Sequence, residues 1–473
     1  MHRRQFLASA SGCIVAGAGA WAQASAAPMP KAGQFIEPAQ TLPLGERCDV
    51  IVCGGGPAGV AAALAAARCG AKVRLFELHG CLGGVWTAGL LTYIFDFDKP
   101  GLPSELAREL DARGARVAGP ARDRFVYDPE KMKVLLEDLC TKAGVQTQLF
   151  TRAACAYRDD AGKRLATLIT ESKGGRQAWQ ANVFIDCTGD GDLGALAGCH
   201  WEIGHGGPDC PCQPMTLNAL IVVKDAEALK DYITFYGGDP SFKGHEACIK
   251  KLLDDIHRAG LEPSYGRPTL FQIRGNLLEF MVNHEYSVKP FEADKVSEAT
   301  IRARAEVHRL ADGLRTLGGP WEGLQVAATA EQIGIRDGRR ILGRAVVTGN
   351  DLISGAHRDD AVCRVTFGAD IHAASADVNK TQPIGHGNIK MKPYDIPLGA
   401  LIARNVDGLM MAGRCISGDF LAHASYRVTG NAVAMGEAAG VVAALAAQKG
   451  ILPHEIAWAE AARKRGEITK GIQ

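Results

Sequence analysis

The chain has 473 residues, of which 47% are hydrophobic and 22% charged, a balance of soluble globular proteins rather than of disordered, fibrous or multi-span membrane chains. A formal net charge of +1 offers no general attraction to nucleic acid or anionic lipid, and those partners are set aside. The length allows two or three folding units of roughly 150 residues, or one large α/β body.

Residues 1–27 read as an address rather than as structure. Arg3-Arg4-Gln5-Phe6-Leu7 precedes a mildly apolar stretch over residues 8–21, and Ala22-Gln23-Ala24 or Ala24-Ser25-Ala26 offers small residues at cleavage spacing. The pattern resembles a twin-arginine export signal, which implies a periplasmic or secreted protein; the alternative is an N-terminal anchor. No later stretch reaches ~18 apolar residues, so no integral span is expected in the mature protein. Residues 28–46 carry Pro28, Pro30, Pro38 and Pro43 and read as an extended lead-in.

Residues 49–53 are a short apolar run of the kind a strand buried on both faces requires. Gly54-Gly55-Gly56-Pro57-Ala58-Gly59 then opens an Ala-rich helix over 57–68, and residues 71–77 give a second strand, completing a βαβ unit. A helix follows over 130–144. Short β-like runs occupy 145–186, with a turn at Asp159-Asp160-Ala161-Gly162 and a strand closing on Cys187. From about 200 to 395 the composition changes: residues 214–223 and 269–283 predict an antiparallel sheet, and a charged amphipathic helix runs over 296–317. This stretch reads as an α+β substrate or cap domain inserted between residues 47–199 and 396–473. Residues 408–413 form a buried strand, and an Ala-rich helix covers 431–448.

The glycine motif gains meaning from its context, because it follows a strand, opens a helix and has Glu77 at the end of the next strand. Gly54 permits the turn, and Gly56 lets the backbone approach a pyrophosphate. Pro57 and Ala58 start the helix, and Gly59 allows close packing of helix on strand. The helix N-terminus offers N–H groups to phosphates, and an acidic Glu77 favours an unphosphorylated ribose such as that of FAD or NAD. The 14 cysteines are scattered and read mostly as small buried hydrophobes. The exception is Cys210-Pro211-Cys212, which allows a disulfide or a single stray metal contact; no pair sits at zinc spacing and no metal site is expected.

Further motifs turn the reading from NAD to FAD. Cys81-Leu82-Gly83-Gly84-Val85-Trp86-Thr87-Ala88-Gly89-Leu90 adds a second glycine turn. Asp186-Cys187-Thr188-Gly189-Asp190-Gly191-Asp192 and Ala412-Gly413-Arg414 follow later strands. Together they resemble the glutathione-reductase-like FAD fold: an α/β Rossmann domain with an inserted cap, whose last helix points at the isoalloxazine. More narrowly, residues 48–90, 183–218, 331–351 and 395–440 resemble the FAD-dependent oxidoreductase family of bacterial flavoproteins, distantly similar to fumarate reductase flavoproteins. The matching text includes Gln213-Pro214-Met215-Thr216, Arg336 with Arg339-Arg340-Ile341-Leu342-Gly343, and residues 412–417 through Ser425-Tyr426-Arg427. The resemblance implies that Gly54, Gly56, Gly59, Glu77, Gly83, Gly84, Thr188, Gly189, Arg414 and Asn431 touch FAD.

Reaction groups are sought among polar residues near the implied flavin. Arg427 has the fork to hold a carboxylate and His423 the pKa to move a proton; the alternative is an ion-paired Arg427 and a satisfied loop histidine. Arg336, Arg339 and Arg340 form a cationic cluster for an anionic substrate or a cofactor phosphate, or else a solvated face. His372 and Tyr394 come from the cap, and His79 and Cys81 are candidates for covalent flavin attachment. No second nucleotide domain and no redox Cys pair are evident, so electrons are expected to pass between a small substrate and a separate periplasmic carrier, quinone or dioxygen. The expected function is hydride transfer at FAD. The alternatives are a non-catalytic flavin-binding electron-transfer or assembly partner, and a thiazole-synthase-like protein.

Overall fold

The computed structural model describes residues 33, 35–118, 123–205, 212–235, 245–387 and 389–470. The export-signal expectation for 1–27, and Cys210, lie outside them. The chain divides into units Met1–Leu42 and Pro43–Gln473. In the first, residues 35–42 form no helix or strand.

The second unit opens with β1 (Cys48–Cys53), whose Val50, Ile51 and Val52 are fully buried, as a central parallel strand requires. α1 (Pro57–Arg68) starts on a proline and on Gly56, which offers no side-chain cap, and β2 (Val73–Phe76) completes the predicted βαβ unit. α2 (Pro129–Lys142) is capped by Asp128, whose carboxylate accepts from Glu130 N and Lys131 N, and leads into β3 (Gln146–Gln148). β4 (Arg152–Arg158), β5 (Leu165–Ser172) and β6 (Gly175–Asp186) form an antiparallel meander. β6 is long enough to serve twice. Its first half pairs with β5, and its end, from Ala181 to Asp186, runs parallel to β1.

The cap contains β7 (Ala219–Val222), β8 (Ile233–Phe235), α3 (His245–Arg258), β9 (Thr269–Arg274), β10 (Leu277–Met281), α4 (Ala293–Thr316) and β11 (Gln325–Thr329). Its sheet has the order β8-β9-β10-β7-β11 and is antiparallel, as predicted, except for the parallel edge pair β8–β9. Strand alternation gives the sheet two apolar faces. Ile221, Leu278 and Phe280 pack with Leu252 of α3 and Leu310 of α4. Leu220, Phe271 and Ile273 pack the other way, against Tyr93 and Val126 of a small three-stranded antiparallel sheet built from Tyr93–Ile94, Arg116–Ala118 and Phe125–Tyr127.

Residues after the cap return to the first layer. Ile341, Val347, Val362 and Tyr394 share the apolar cluster of β1 and α1, so packing groups them with that layer although composition sets them in the cap. β12 (Leu409–Met411) pairs with β6, giving a parallel sheet in the order β3-β2-β1-β6-β12. This is a Rossmann-like arrangement in which the crevice lies at the carboxyl ends of β1 and β6. α5 (Phe420–Tyr426) precedes α6 (Thr429–Lys449). α6 lies directly on α1: a methyl at Gly436 would come within 2.1 Å of the Ala58 carbonyl oxygen, and one at Gly440 within 2.2 Å of that of Ala62. The four-residue spacing matches one ridge of each helix. The expectation that no later stretch is apolar enough to span a membrane is corrected by α6. It passes by length and composition, yet the apolar window is 100% buried inside the protein.

Candidate active site

The carboxyl ends of β1 and β6 come too close for side chains. A methyl at Gly54, where φ is +95°, would lie 2.4 Å from the Cys187 carbonyl oxygen, and one at Gly59 would lie 1.8 Å from that of Gly54. Gly56 differs: a methyl there meets nothing within 4 Å, because its backbone borders a cavity of about 1360 Å³. Gly54, Pro57 and Ala58 share that border, whereas Gly59 packs behind it. The second glycine turn divides in the same way. Gly84 lines the cavity against Gly56; Gly83, with φ +109°, stands one layer back and donates its N–H to Gly55 O at 2.8 Å.

Glu77 reaches the same wall with its side chain almost buried. Its carboxylate accepts from Gly55 N at 2.5 Å and His79 N at 2.8 Å. Thr188 and Gly189 also line the cavity. The Thr188 hydroxyl donates to Asp186 Oδ1 at 2.7 Å and accepts from Asp192 N. Arg414 crosses Gly189 to donate to Asp190 Oδ1 at 2.8 Å, and its buried Nε has no partner. Val428 and Thr429 bring the start of α6 to the wall. Two helix N-termini without side-chain caps, at Gly56 and Val428, therefore face one cavity, and each carries N–H groups and partial positive charge. The cavity exceeds the ~300–1000 Å³ of ordinary small-ligand sites. Uncapped amides, a ribose-distance carboxylate and this volume fit a dinucleotide cofactor such as FAD.

A polar cluster from later in the chain occupies the same wall. Arg336 donates through Nη1 to Pro214 O at 2.8 Å and to Thr216 Oγ1 at 2.7 Å. Arg427 donates through Nη2 to Asp370 Oδ2 at 2.8 Å, and its Nε is buried without a partner. Asp370 also faces His372 Nε2 at 3.2 Å. Burial raises the Asp370 carboxyl, but His372, Arg427 and Arg336 outweigh it and hold it far below the usual carboxylate range. Burial, then the charge of Arg336, lowers His372 to about 4, so the ring is neutral at pH 7. An ionised Asp370 only accepts, so Nε2 carries the ring hydrogen. Nδ1 is then an unprotonated, buried acceptor with no protein partner. Tyr265 completes this part of the wall, its ring 5.9 Å from His372; burial raises its phenol to about 12. Asp370 and Tyr265 are absent from the sequence reading. The closeness of an acid and a histidine two positions apart, Asp370 directly preceding the short strand Ile371–His372, is the signal that was open to use.

Several expected residues lie off the wall. His423 is fully buried on α5 with both ring nitrogens unpartnered, its ring edge-on to Tyr426 at 5.5 Å. Burial, then Arg340 and Arg427, holds its pKa well below the ordinary value. The short helix turns this ring inward, whereas Arg427 and His372 line the cavity. Asn431 is likewise buried away from the wall, beside Asp96. The arginine cluster splits. Arg336 and Arg339 line the cavity, Arg339 paired there with Asp192 at 2.8 Å, whereas buried Arg340 binds Gly418 O, Gly204 O and Asp337. Tyr394 donates to Ser425 Oγ within the core. His79 lines the cavity; Cys81 is buried beside Thr87, off the wall. Cys212 is buried, and Cys210 of the same motif lies outside the described residues. Among the described residues no group of three His, Cys, Asp or Glu side chains is placed to hold a metal ion.

A family model described as FAD dependent oxidoreductase matches residues 49–465. Among solved structures, the chain is similar to a geranylgeranyl bacteriochlorophyll reductase-like protein from Thermoplasma acidophilum, at 15% identity and TM-score 0.44, over 90% of this chain and 84% of that one. It is also similar to p-nitrophenol 4-monooxygenase from Pseudomonas putida DLL-E4, at 11% identity and TM-score 0.43, over 89% and 83%. A search of curated proteins finds no match.

Proposed function

Because the chain belongs to the FAD-dependent oxidoreductase family, we propose that it exchanges a hydride between FAD and a small organic substrate, with a separate electron carrier, quinone or dioxygen completing the cycle. The observation that supports this reading is a single cavity whose wall joins Gly56, Glu77 and Arg414 to Arg336, Asp370, His372 and Arg427. FAD, when bound, supplies reversible two-electron oxidation and reduction.

The chain's own residues do the rest. Gly56, Gly84 and the start of α1 hold the diphosphate, Glu77 the adjoining ribose, and the start of α6 the electron-rich edge of the ring system. Arg336 and Arg427 orient the substrate. His372 moves the proton: when substrate loses a C–H hydrogen with its electron pair, Nδ1 takes the accompanying O–H or N–H proton, and in the reverse direction Nδ1 returns it. Asp370 keeps the ring in that tautomer and orientation, a positioning role. The twin-arginine pattern around Arg3 and Arg4 supports delivery of the folded protein to the periplasm or beyond.

The test is an anaerobic screen of hydroxy acids, amines, enoates and sugars that follows bleaching of the oxidised flavin and recolouring of the reduced one. At least one class is expected to change the flavin's redox state, with the rate lowered on the order of a hundredfold in His372→Ala and unchanged in His423→Ala. A flavin that responds to no small molecule but does respond to a partner protein favours the electron-transfer alternative.

A further inference from the structure

Arg336 is the one charged group of this wall segment that the protein does not neutralise. Its neighbours are paired: Arg427 with Asp370 at 2.8 Å and Arg267 with Glu246 at 2.6 Å. Arg336 has no ion pair among the described residues, and only Nη1 finds hydrogen-bond acceptors. His372 is neutral, and burial, then Arg336, keeps His284 behind it neutral too. Arg336, Arg427, Arg267, Asp370 and Glu246 thus sum to one positive charge. The guanidinium is half-buried, lines the cavity and has no carboxylate beside it, and a bound anion would complete it.

The geometry says what kind of anion. The two acceptors on Nη1 fix the guanidinium plane and leave its Nε–Nη2 edge without a protein partner, the edge that takes a carboxylate through two parallel hydrogen bonds. Apolar surface borders the same cavity. Tyr93 packs on Phe95 at 4.5 Å and on Phe271 at 4.7 Å, and Phe95 meets Phe367 at 5.2 Å, three residues before Asp370.

We propose that the substrate is a monocarboxylate with an apolar body, its carboxylate held by Arg336 through Nε and Nη2 and its body set against the Tyr93, Phe95, Phe271 and Phe367 rings. The inference deepens the proposed function and rests on it for one point, that this cavity receives the substrate. A dianion overcharges the site, and an amide leaves Arg336 uncompensated.

The test titrates purified protein with acetate, butyrate, benzoate and phenylacetate, and with the amide of each, by calorimetry and by perturbation of the flavin spectrum. Carboxylates are expected to bind at least about tenfold tighter than their amides, the worth of one charge-assisted hydrogen bond, with affinity rising with the apolar body. Arg336→Gln should abolish the preference, and Arg336→Lys should keep part of it. Amides that match the carboxylates, no carboxylate binding in the series, or a preference that survives Arg336→Gln would each overturn the proposal. The wild-type comparison decides even where a variant fails to fold. FAD released on heating separates the two readings: protein without FAD refutes the flavin-enzyme reading, whereas FAD-loaded protein indifferent to carboxylates refutes only this one.

Discussion

Glu77 carries two tasks that a single substitution separates. Its carboxylate accepts from two backbone N–H groups, those of Gly55 and His79, and it borders the cavity where a ribose is expected. Glu77→Ala leaves both donors unpartnered, at about 1–3 kcal/mol each, and removes the ribose acceptor; Glu77→Gln keeps one oxygen. Titration of FAD into flavin-free protein is expected to show affinity weakened at least about tenfold in Glu77→Ala and less in Glu77→Gln. Unchanged affinity removes Glu77 from the ribose. At this scale the glycine motif was legible because Gly54, Gly56 and Glu77 act through backbone geometry encoded locally. The arginines were not. Arg336, Arg339 and Arg340 stand within five positions, yet the first two line the cavity, Arg339 already paired with Asp192, and the third reaches the buried Gly418 carbonyl, because partners distant in the chain decide where each side chain goes.

At the scale of elements, β10 joins the cap to the first layer through a buried acid. Leu278 and Phe280 enter the cap core, so alternation turns Glu279 to the other face. There it accepts from Thr92 N at 2.8 Å and from the Thr92 hydroxyl, and its second oxygen has no partner. Burial raises the carboxyl from 4.5 to about 8. The folded chain therefore binds this proton more tightly than the unfolded chain does. The stability it contributes is intact below about 4.5, is lost as pH rises toward about 8 and is flat above that. Glu279→Gln removes the titration. Unfolding free energies of wild type and variant from denaturant titration, compared at pH 5 and pH 8, should shift in the variant's favour at the higher pH by at least ~1 kcal/mol; a gap independent of pH rules out the shifted carboxyl. The strand itself is readable from its composition. What waits opposite Glu279 is not, because Thr92 belongs to a segment 187 positions away.

At the scale of the whole molecule, the βαβ unit and α6 were legible because apolar and Ala-rich runs bounded by glycine turns define them locally. The extent of the cap was not, since residues 341–365 look like cap by composition and join the first layer only through packing on β1 and α1. The same long-range assembly bears on export. Gly56, Arg336 and Thr429 reach one cavity only when the entire chain is folded, so a cofactor held without a covalent bond is lost if the chain crosses a membrane unfolded. If the chain is exported as proposed, a flavin held in this cavity without a covalent bond would have to be loaded where FAD is made, before transport. The paired Arg3-Arg4 suits a route that moves folded cargo. Cell fractionation of wild type beside the double variant Arg3→Lys, Arg4→Lys checks this. Wild type is expected outside the cytoplasm carrying about one FAD per chain, the stoichiometry of a single dinucleotide cradle, and the variant inside it, folded and equally yellow. Equal export of both proteins, or an exported wild type that takes up FAD only after transport, defeats the argument, because folding and cofactor loading then no longer precede passage through the membrane.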